Sequence, residues 1–316
     1  VEHLVARFGP AAAGGVAYYN LDNEPMLWSS TLRDVHPQPT SYDELRDRTW
    51  AYAAAVKAGD PTARTRGPAE WGWTGYFWSA LDWAGGSDWW NHPADRLAHG
   101  GVPFAEWYLE QMAAYEADHG VRILDLLDEH FYPPTVATVA AGSPEIQALR
   151  LRSTRLLWDR SYREESWIAE PVYLIPRLRE WVAARYPGTG LAIGEYNWGA
   201  LDHLNGALAQ ADVLGIFGRE GLDLATLWGP PESGHPGAFA FRMYLNADGA
   251  GHGFGETSVR AASADQGRLA AFAALRAGDG ALTVMLVNKS GGGLDSTVSV
   301  AGFAAAPAAQ VWRYSA

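Results

Sequence analysis

The sequence contains no cysteine. That excludes disulfides and thiolate metal ligands, so stability must come from packing, and it leaves the redox compartment unmarked. No run approaches eighteen uninterrupted apolar residues, and Val1-Glu2-His3-Leu4 lacks the charged-then-apolar layout of a signal peptide. No segment is therefore expected to span or enter a membrane. Positive charge is scarce: 24 Lys and Arg stand against 36 Asp and Glu, for a formal charge of -12. A phosphate backbone needs a basic surface, so no nucleic-acid partner is expected, whereas a neutral polysaccharide needs no such field. The Gly-rich stretches at 249–255 and 291–293 lack phosphate-loop spacing and a following Lys-Ser/Thr, and read as linkers or hairpin turns.

What the chain does have is apolar and aromatic. At 316 residues and 48% hydrophobic content it can bury the core of one large domain, or of a large and a small one. Fifteen Trp and 14 Tyr are present, with a cluster at Trp71-Gly72-Trp73-Thr74-Gly75-Tyr76-Phe77-Trp78 and further Trp at 83, 89 and 90. Sugar rings present flat C–H faces that stack on aromatic rings, and large amphipathic rings suit partly wet grooves. Packing is the ordinary fate of any one Trp. A cluster in a Gly-rich loop after a strand points instead toward a groove.

Two apolar, β-prone runs end abruptly in a carboxylate: Val16-Ala17-Tyr18-Tyr19-Asn20-Leu21-Asp22-Asn23-Glu24-Pro25 and Leu191-Ala192-Ile193-Gly194-Glu195-Tyr196. The periodicity predicts strands at 16–23, 63–68, 122–128, 190–195 and 222–228, alternating with helices near 42–58, 104–119, 144–158, 171–186, 201–218 and 236–246. Ser41 is the expected N-cap of the first, with Glu44 completing a capping box, and Gly120 stops the second. Five β-then-α units in a row imply a parallel sheet. A closed (β/α) barrel takes eight, so either the sheet is open or three units are missing from the chain. Residues 1–250 are expected to form this partial barrel. Beyond 250, alternating Gly-punctuated segments at 281–288, 296–300 and 310–314 predict antiparallel strands of a small β-sandwich, residues 251–316.

Strands that each deliver a glutamate at the C-terminal end can place two carboxyls across one cleft, which is the requirement of a glycosidase. A short Asn-Glu-Pro alone would more ordinarily be a turn. The loop Ser87-Asp88-Trp89-Trp90-Asn91-His92-Pro93-Ala94-Asp95 offers oxygens to a hard cation such as calcium. It has no EF-hand spacing and reads as a solvated loop; two carboxylates and water suffice for hydrolysis without a cofactor.

Read in order, Leu21-Asp22-Asn23-Glu24-Pro25-Met26-Leu27-Trp28, Gly67-Pro68, Trp71-Gly72-Trp73-Thr74, Leu124-Asp125-Leu126-Leu127-Asp128-Glu129-His130, Arg152-Ser153-Thr154-Arg155, Leu157-Trp158-Asp159, Glu165-Ser166-Trp167 and Gly194-Glu195-Tyr196 resemble glycoside hydrolase family 44, the endo-β-1,4-glucanases and xyloglucanases of cellulolytic bacteria. The resemblance runs nearly end to end. It implies a TIM barrel with a β-sandwich domain, an extracellular location, and retaining hydrolysis of β-glucan poly- or oligosaccharide. It also implies three further βα units and some sandwich strands before the Asn-Glu-Pro strand. A barrel lacking those units would expose sheet edges open to self-association. By this resemblance Glu24 matches the acid/base and Glu195 the nucleophile. Substrate contacts are expected from Asn23, on a 2-hydroxyl, and from Trp71, Trp73, His130, Tyr132, Tyr196, Trp198 and Trp228. His130 and Tyr132, read as a loop after the third strand, could instead hold the nucleophile ionised. The rival readings are a non-catalytic carbohydrate-binding remnant and a mannanase or xylanase of the same barrel type, which loop contacts alone would distinguish.

Overall fold

The computed structural model describes residues 1–137 and 140–315. They form two compact units. One comprises Val1–Tyr132, Leu174–Tyr196 and Leu222–Trp228; the other comprises Pro133–Tyr173, Asn197–Gly221 and Gly229 onward. The composition change near Gly251 falls inside the second unit.

The first unit holds five parallel strands: β1 (Tyr18–Asn20), β2 (Arg64–Glu70), β3 (Leu126–Phe131), β4 (Gly190–Tyr196) and β5 (Leu224–Leu227). Their order across the sheet is their order in the sequence. A doubly wound sheet reverses direction at a switch point, and this one does not; each crossover adds its strand on the same side, as a (β/α) barrel does. Five strands are a partial barrel, and β1 does not pair with β5 among the described residues. β3, in the middle, is buried throughout, whereas β1 and β5 are largely exposed.

Local signals set the helices of this unit. The Ser41 hydroxyl accepts from the Glu44 N–H at 3.2 Å and starts helix Tyr42–Gly59. The Glu44 carboxylate does not complete the box: it pairs with His36 Nε2 (2.7 Å) and Arg48 Nε (2.8 Å), which leaves the cap half-formed. Helix Phe104–His119 stops at Gly120, whose left-handed φ of 69° suits a residue without a Cβ. This helix buries Phe104, Trp107, Tyr108, Leu109 and Met112, which together supply much of the apolar burial that holds it in place.

Two strands carry one extra residue each. In β2 the register moves from Pro68 opposite Asp128 to Glu70 opposite Glu129, leaving Ala69 unpaired with φ of 59°. In β4 it moves from Ile193 opposite Glu129 to Glu195 opposite His130, leaving Gly194 unpaired. Such bulges re-aim the side chains that follow them.

The second unit contains helices Pro144–Ser153, Leu204–Glu220 and Pro236–Leu245 and one antiparallel sheet, β6 (Thr257–Val259), β7 (Leu269–Leu275) and β8 (Leu282–Asn288). Gly215 lets helix Leu204–Glu220 approach β7, because a Cβ there would lie 2.3 Å from the Phe272 ring. The expected sandwich is thus a single three-stranded sheet among the described residues. Segments 296–300 and 310–314 are not strands. Val298 and Val300 stay exposed, and an alternating pattern without an apolar layer to cover does not hold strand geometry. Tyr314 does stack on Phe239 (centroids 4.7 Å, planes 10° apart), but 310–314 joins no ladder among the described residues.

Candidate active site

The first unit gathers four of the sequence-selected residues at the C-terminal ends of its strands. β1 stops at Asn20, and a turn with Asp22 at φ of 72° leads to Glu24. Glu24 itself is left-handed (φ 48°, ψ 59°), a strained state for a residue with a side chain. Its N–H donates to the carbonyl of Ala69 at 2.9 Å, so the bulge of β2 holds the turn in place. Next in sequence, Glu70 accepts from the Met26 N–H at 3.3 Å. Burial pushes the Glu70 carboxyl well up, opposed by the Met26 and Trp71 N–H groups, and the nearby Glu24 raises it further.

The structure corrects the placement of His130. Strand β3 begins four residues later than the pattern suggests and continues through Phe131, so His130 is a strand residue, 1% exposed, and not part of a loop. Its Nδ1 lies 2.9 Å from Glu24 Oε1 and 3.6 Å from Glu195 Oε2. The imidazole therefore bridges the two glutamates and stands closer to Glu24. Its carbonyl accepts a short hydrogen bond from the Tyr76 hydroxyl, which fixes the backbone here. Tyr132 donates its hydroxyl to Glu195 Oε2 at 2.8 Å. Burial, then the bond to Glu195 and the charges of Glu195 and Glu24, raise the Tyr132 hydroxyl far enough that it remains a donor.

Glu24 and Glu195 are each about one-fifth exposed, with side chains at 22% and 17%. One donor atom each from Glu24, His130 and Glu195 lies within 4.8 Å of the other two, and no other trio of His, Asp or Glu does so among the described residues. Replacing Tyr132 by Phe removes a donor to a charged group and nothing else of similar size. Turnover of Tyr132→Phe is expected to fall about 10- to 100-fold in steady-state assays, with KM little changed.

The remaining candidates separate. Trp228, following β5, is 63% exposed, and its N–H bonds to the Tyr196 carbonyl at 3.1 Å, beside the end of β4. Trp71 follows β2 and stacks on Trp83 (centroids 5.8 Å, planes 8° apart), with its indole N–H on Met26 Sδ. Asn23 is exposed next to Glu24, its carbonyl accepting the Trp28 indole N–H at 2.9 Å. Three others are core residues in this structure. Trp73 is 8% exposed, packed on Tyr76 and Phe77 beneath the Arg177 guanidinium. Tyr196 is 2% exposed. Trp198 belongs to the second unit, fully buried, with its indole N–H on Ser153 and its carbonyl accepting from Arg150. Sequence reading passed over Arg66, whose Nη1 lies 2.7 Å from the buried Asp128 carboxylate. Its signal was a charge inside a strand-like run, and such charges are seldom buried without a partner.

Comparison with known proteins points one way. Residues 1–135 match the model of glycoside hydrolase family 44. Endoglucanase A of Paenibacillus lautus is 33% identical over 99% of this chain and 45% of its own length. The crystal structure of CelM2, a bifunctional glucanase-xylanase from a metagenome library, superposes with a TM-score of 0.89 at 49% identity, over 91% of this chain and 56% of that one. A Paenibacillus polymyxa xyloglucanase of family 44, solved with xyloglucan, gives a TM-score of 0.82 at 33% identity, over 92% and 57%. The chain spans about half the length of these relatives. With its strand order and two strand-end glutamates, it belongs to glycoside hydrolase family 44.

Proposed function

We propose that the chain carries the reacting groups of a retaining endo-β-1,4-glucanase acting on cellulose-type glucan or xyloglucan. The observation that carries this reading is the approach of Glu24 and Glu195 to within 4.8 Å of each other. Retaining enzymes hold their carboxyls roughly 5–5.5 Å apart and inverting enzymes roughly 6.5–9.5 Å, because the latter must admit a water. An approach of one oxygen from each to within 4.8 Å supports the retaining arrangement.

In the first step the Glu195 carboxylate bonds to the anomeric carbon as the glycosidic C–O bond breaks, and Glu24 gives its proton to the leaving oxygen. In the second, Glu24 takes a proton from water, the water oxygen bonds to the anomeric carbon, and the ester to Glu195 is released. His130, touching Glu24, holds the acid's orientation, and the Tyr132 hydroxyl holds that of Glu195. No cofactor enters either step. Trp228, exposed beside the end of β4, is the aromatic face proposed to lie under the sugar being cleaved.

The names borne by the relatives, endoglucanase, glucanase-xylanase and xyloglucanase, support the substrate class. The test is reducing-end release from carboxymethylcellulose and xyloglucan, with proton NMR of the first product. The expected first product is the β-anomer; the α-anomer would overturn retention, and no release would overturn catalysis by this chain. A second reading, a carbohydrate-binding protein without turnover, is favoured by the exposed edge strands β1 and β5. It predicts oligosaccharide binding and no reducing ends.

A further inference from the structure

Beneath Glu195 lies a buried ion pair that the two-glutamate scheme does not use. Asp128 of β3 is 0% exposed, and its Oδ2 accepts from Arg66 Nη1 at 2.7 Å. Its register partner on β4 is Ala192, but its carboxylate lies against the bulged Gly194, immediately before Glu195. A Cβ on Gly194 would lie 2.6 Å from Asp128 Oδ1, 2.7 Å from Oδ2 and 3.0 Å from Arg66 Nη1. The strand therefore rests its bare Cα on the ion pair, and a Cβ there would have to displace the buried carboxylate.

We propose that the Arg66–Asp128 pair is the positioning device of the Glu195 nucleophile, seating the bulge that aims it and balancing the charge under its carboxylate. The inference rests on Glu195 being the nucleophile. A merely structural pair is a poor explanation of this arrangement, since burying two charges costs several kcal/mol and an apolar pair would often serve stability as well or better. The location explains the expense. Around Asp128 stand Arg66 of β2, His130 of the same strand and Glu195 of β4. Tyr76, Tyr108, Glu70 and Glu129 complete the electrostatic surroundings on the helix side. Glu24 and Tyr132 also face Glu195. Arg66 is the permanent cation of this set. Without Asp128 its charge would bear on Glu195 alone and make the carboxylate too poor a nucleophile. Without Arg66, the Asp128 charge would repel the ionised form that must attack. Burial raises the Asp128 carboxyl, the Arg66 guanidinium, His130 and a hydrogen bond from the Gly194 N–H oppose this, and the Glu195 charge raises it again.

The first measurement needs no turnover. In carboxyl carbon-13 NMR of Asp-labelled protein, the midpoint of Asp128 is expected to be lower in Glu195→Gln than in the parent, by about half a pH unit to one unit. An unchanged midpoint overturns the proposal. The second reads the acidic limb of kcat/KM. Asp128→Asn should move it to lower pH and Arg66→Met to higher pH, and displacement in the same direction, or none, overturns the proposal. If Arg66→Met does not fold, Arg66→Lys replaces it: the limb stays within about 0.3 pH units while kcat drops about tenfold or more, because a point charge replaces the fork that seats the bulge. A displaced limb or an unchanged kcat in Arg66→Lys overturns the proposal. A parent chain that releases no reducing ends argues against the nucleophile assignment, and the NMR measurement then decides the coupling by itself.

Discussion

Glu195→Gln is expected to lose hydrolysis by a factor on the order of 10⁴ or more while oligosaccharide binding stays within a few-fold of the parent. The amide keeps the volume of the side chain and an oxygen to accept from the Tyr132 hydroxyl, at 2.8 Å in the parent. It cannot form the glycosyl ester. Isothermal titration with cello-oligosaccharides and reducing-sugar assays at matched protein concentration separate the two effects, and turnover within tenfold of the parent would remove Glu195 from the mechanism. Glu24→Ala should behave differently. Its loss is large on natural substrate, where the leaving oxygen needs a proton, and small on an aryl glycoside whose leaving group departs as an anion. Azide should then divide the roles by stereochemistry: a β-glycosyl azide from Glu24→Ala, where it attacks the covalent intermediate, and an α-glycosyl azide from Glu195→Gly, where it replaces the missing nucleophile.

Lys289→Met should lower stability by about 3–5 kcal/mol, a large share of what holds a domain folded. Lys289 Nζ lies 2.8 Å from Asp212 Oδ2, and the two side chains are 2% and 1% exposed. Thr154 Oγ1 donates to the same oxygen at 2.7 Å, and Oδ1 has no hydrogen-bond partner. Removing the ammonium leaves a carboxylate in the interior of the second unit that one hydroxyl cannot compensate. Urea unfolding monitored by circular dichroism measures the loss. Lys289→Met combined with Asp212→Leu should recover most of it, since neither charge is then buried. A single variant within 1 kcal/mol of the parent would show that the pair is dispensable.

Legibility in the sequence followed how local each signal was. The start of helix Tyr42–Gly59 and the stop of helix Phe104–His119 at Gly120 were readable because caps and stops act within one turn. The strand expected at 122–128 ends too early because Glu129 and His130 are polar; only tertiary burial keeps those side chains in β3, and burial of that kind leaves no periodic trace. Glu24 and Glu195 were legible as carboxylates ending apolar runs. The contact of His130 with Glu24, 106 positions apart, was not. Composition alone also could not divide the tryptophans. Trp73 and Trp228 share a residue type and a place after a strand, yet the first fills the core and the second is open to solvent. The strand expected at 296–300 failed for a related reason, since alternation describes a surface only when something lies against it.

The extra residue at Gly194 makes strand β4 a matter of parity. Counted by twos from Leu191 and Ile193, residue 195 belongs to the opposite side of the sheet from His130, the side Glu129 shares with Tyr108 and Tyr76. One unpaired position reverses the count and turns the carboxyl toward the substrate side. A strand of the same length and composition rebuilt with ideal geometry would fold well and point its glutamate into the helices. Any redesign or alignment of this segment must therefore conserve an odd number, and the length of the strand is secondary to it.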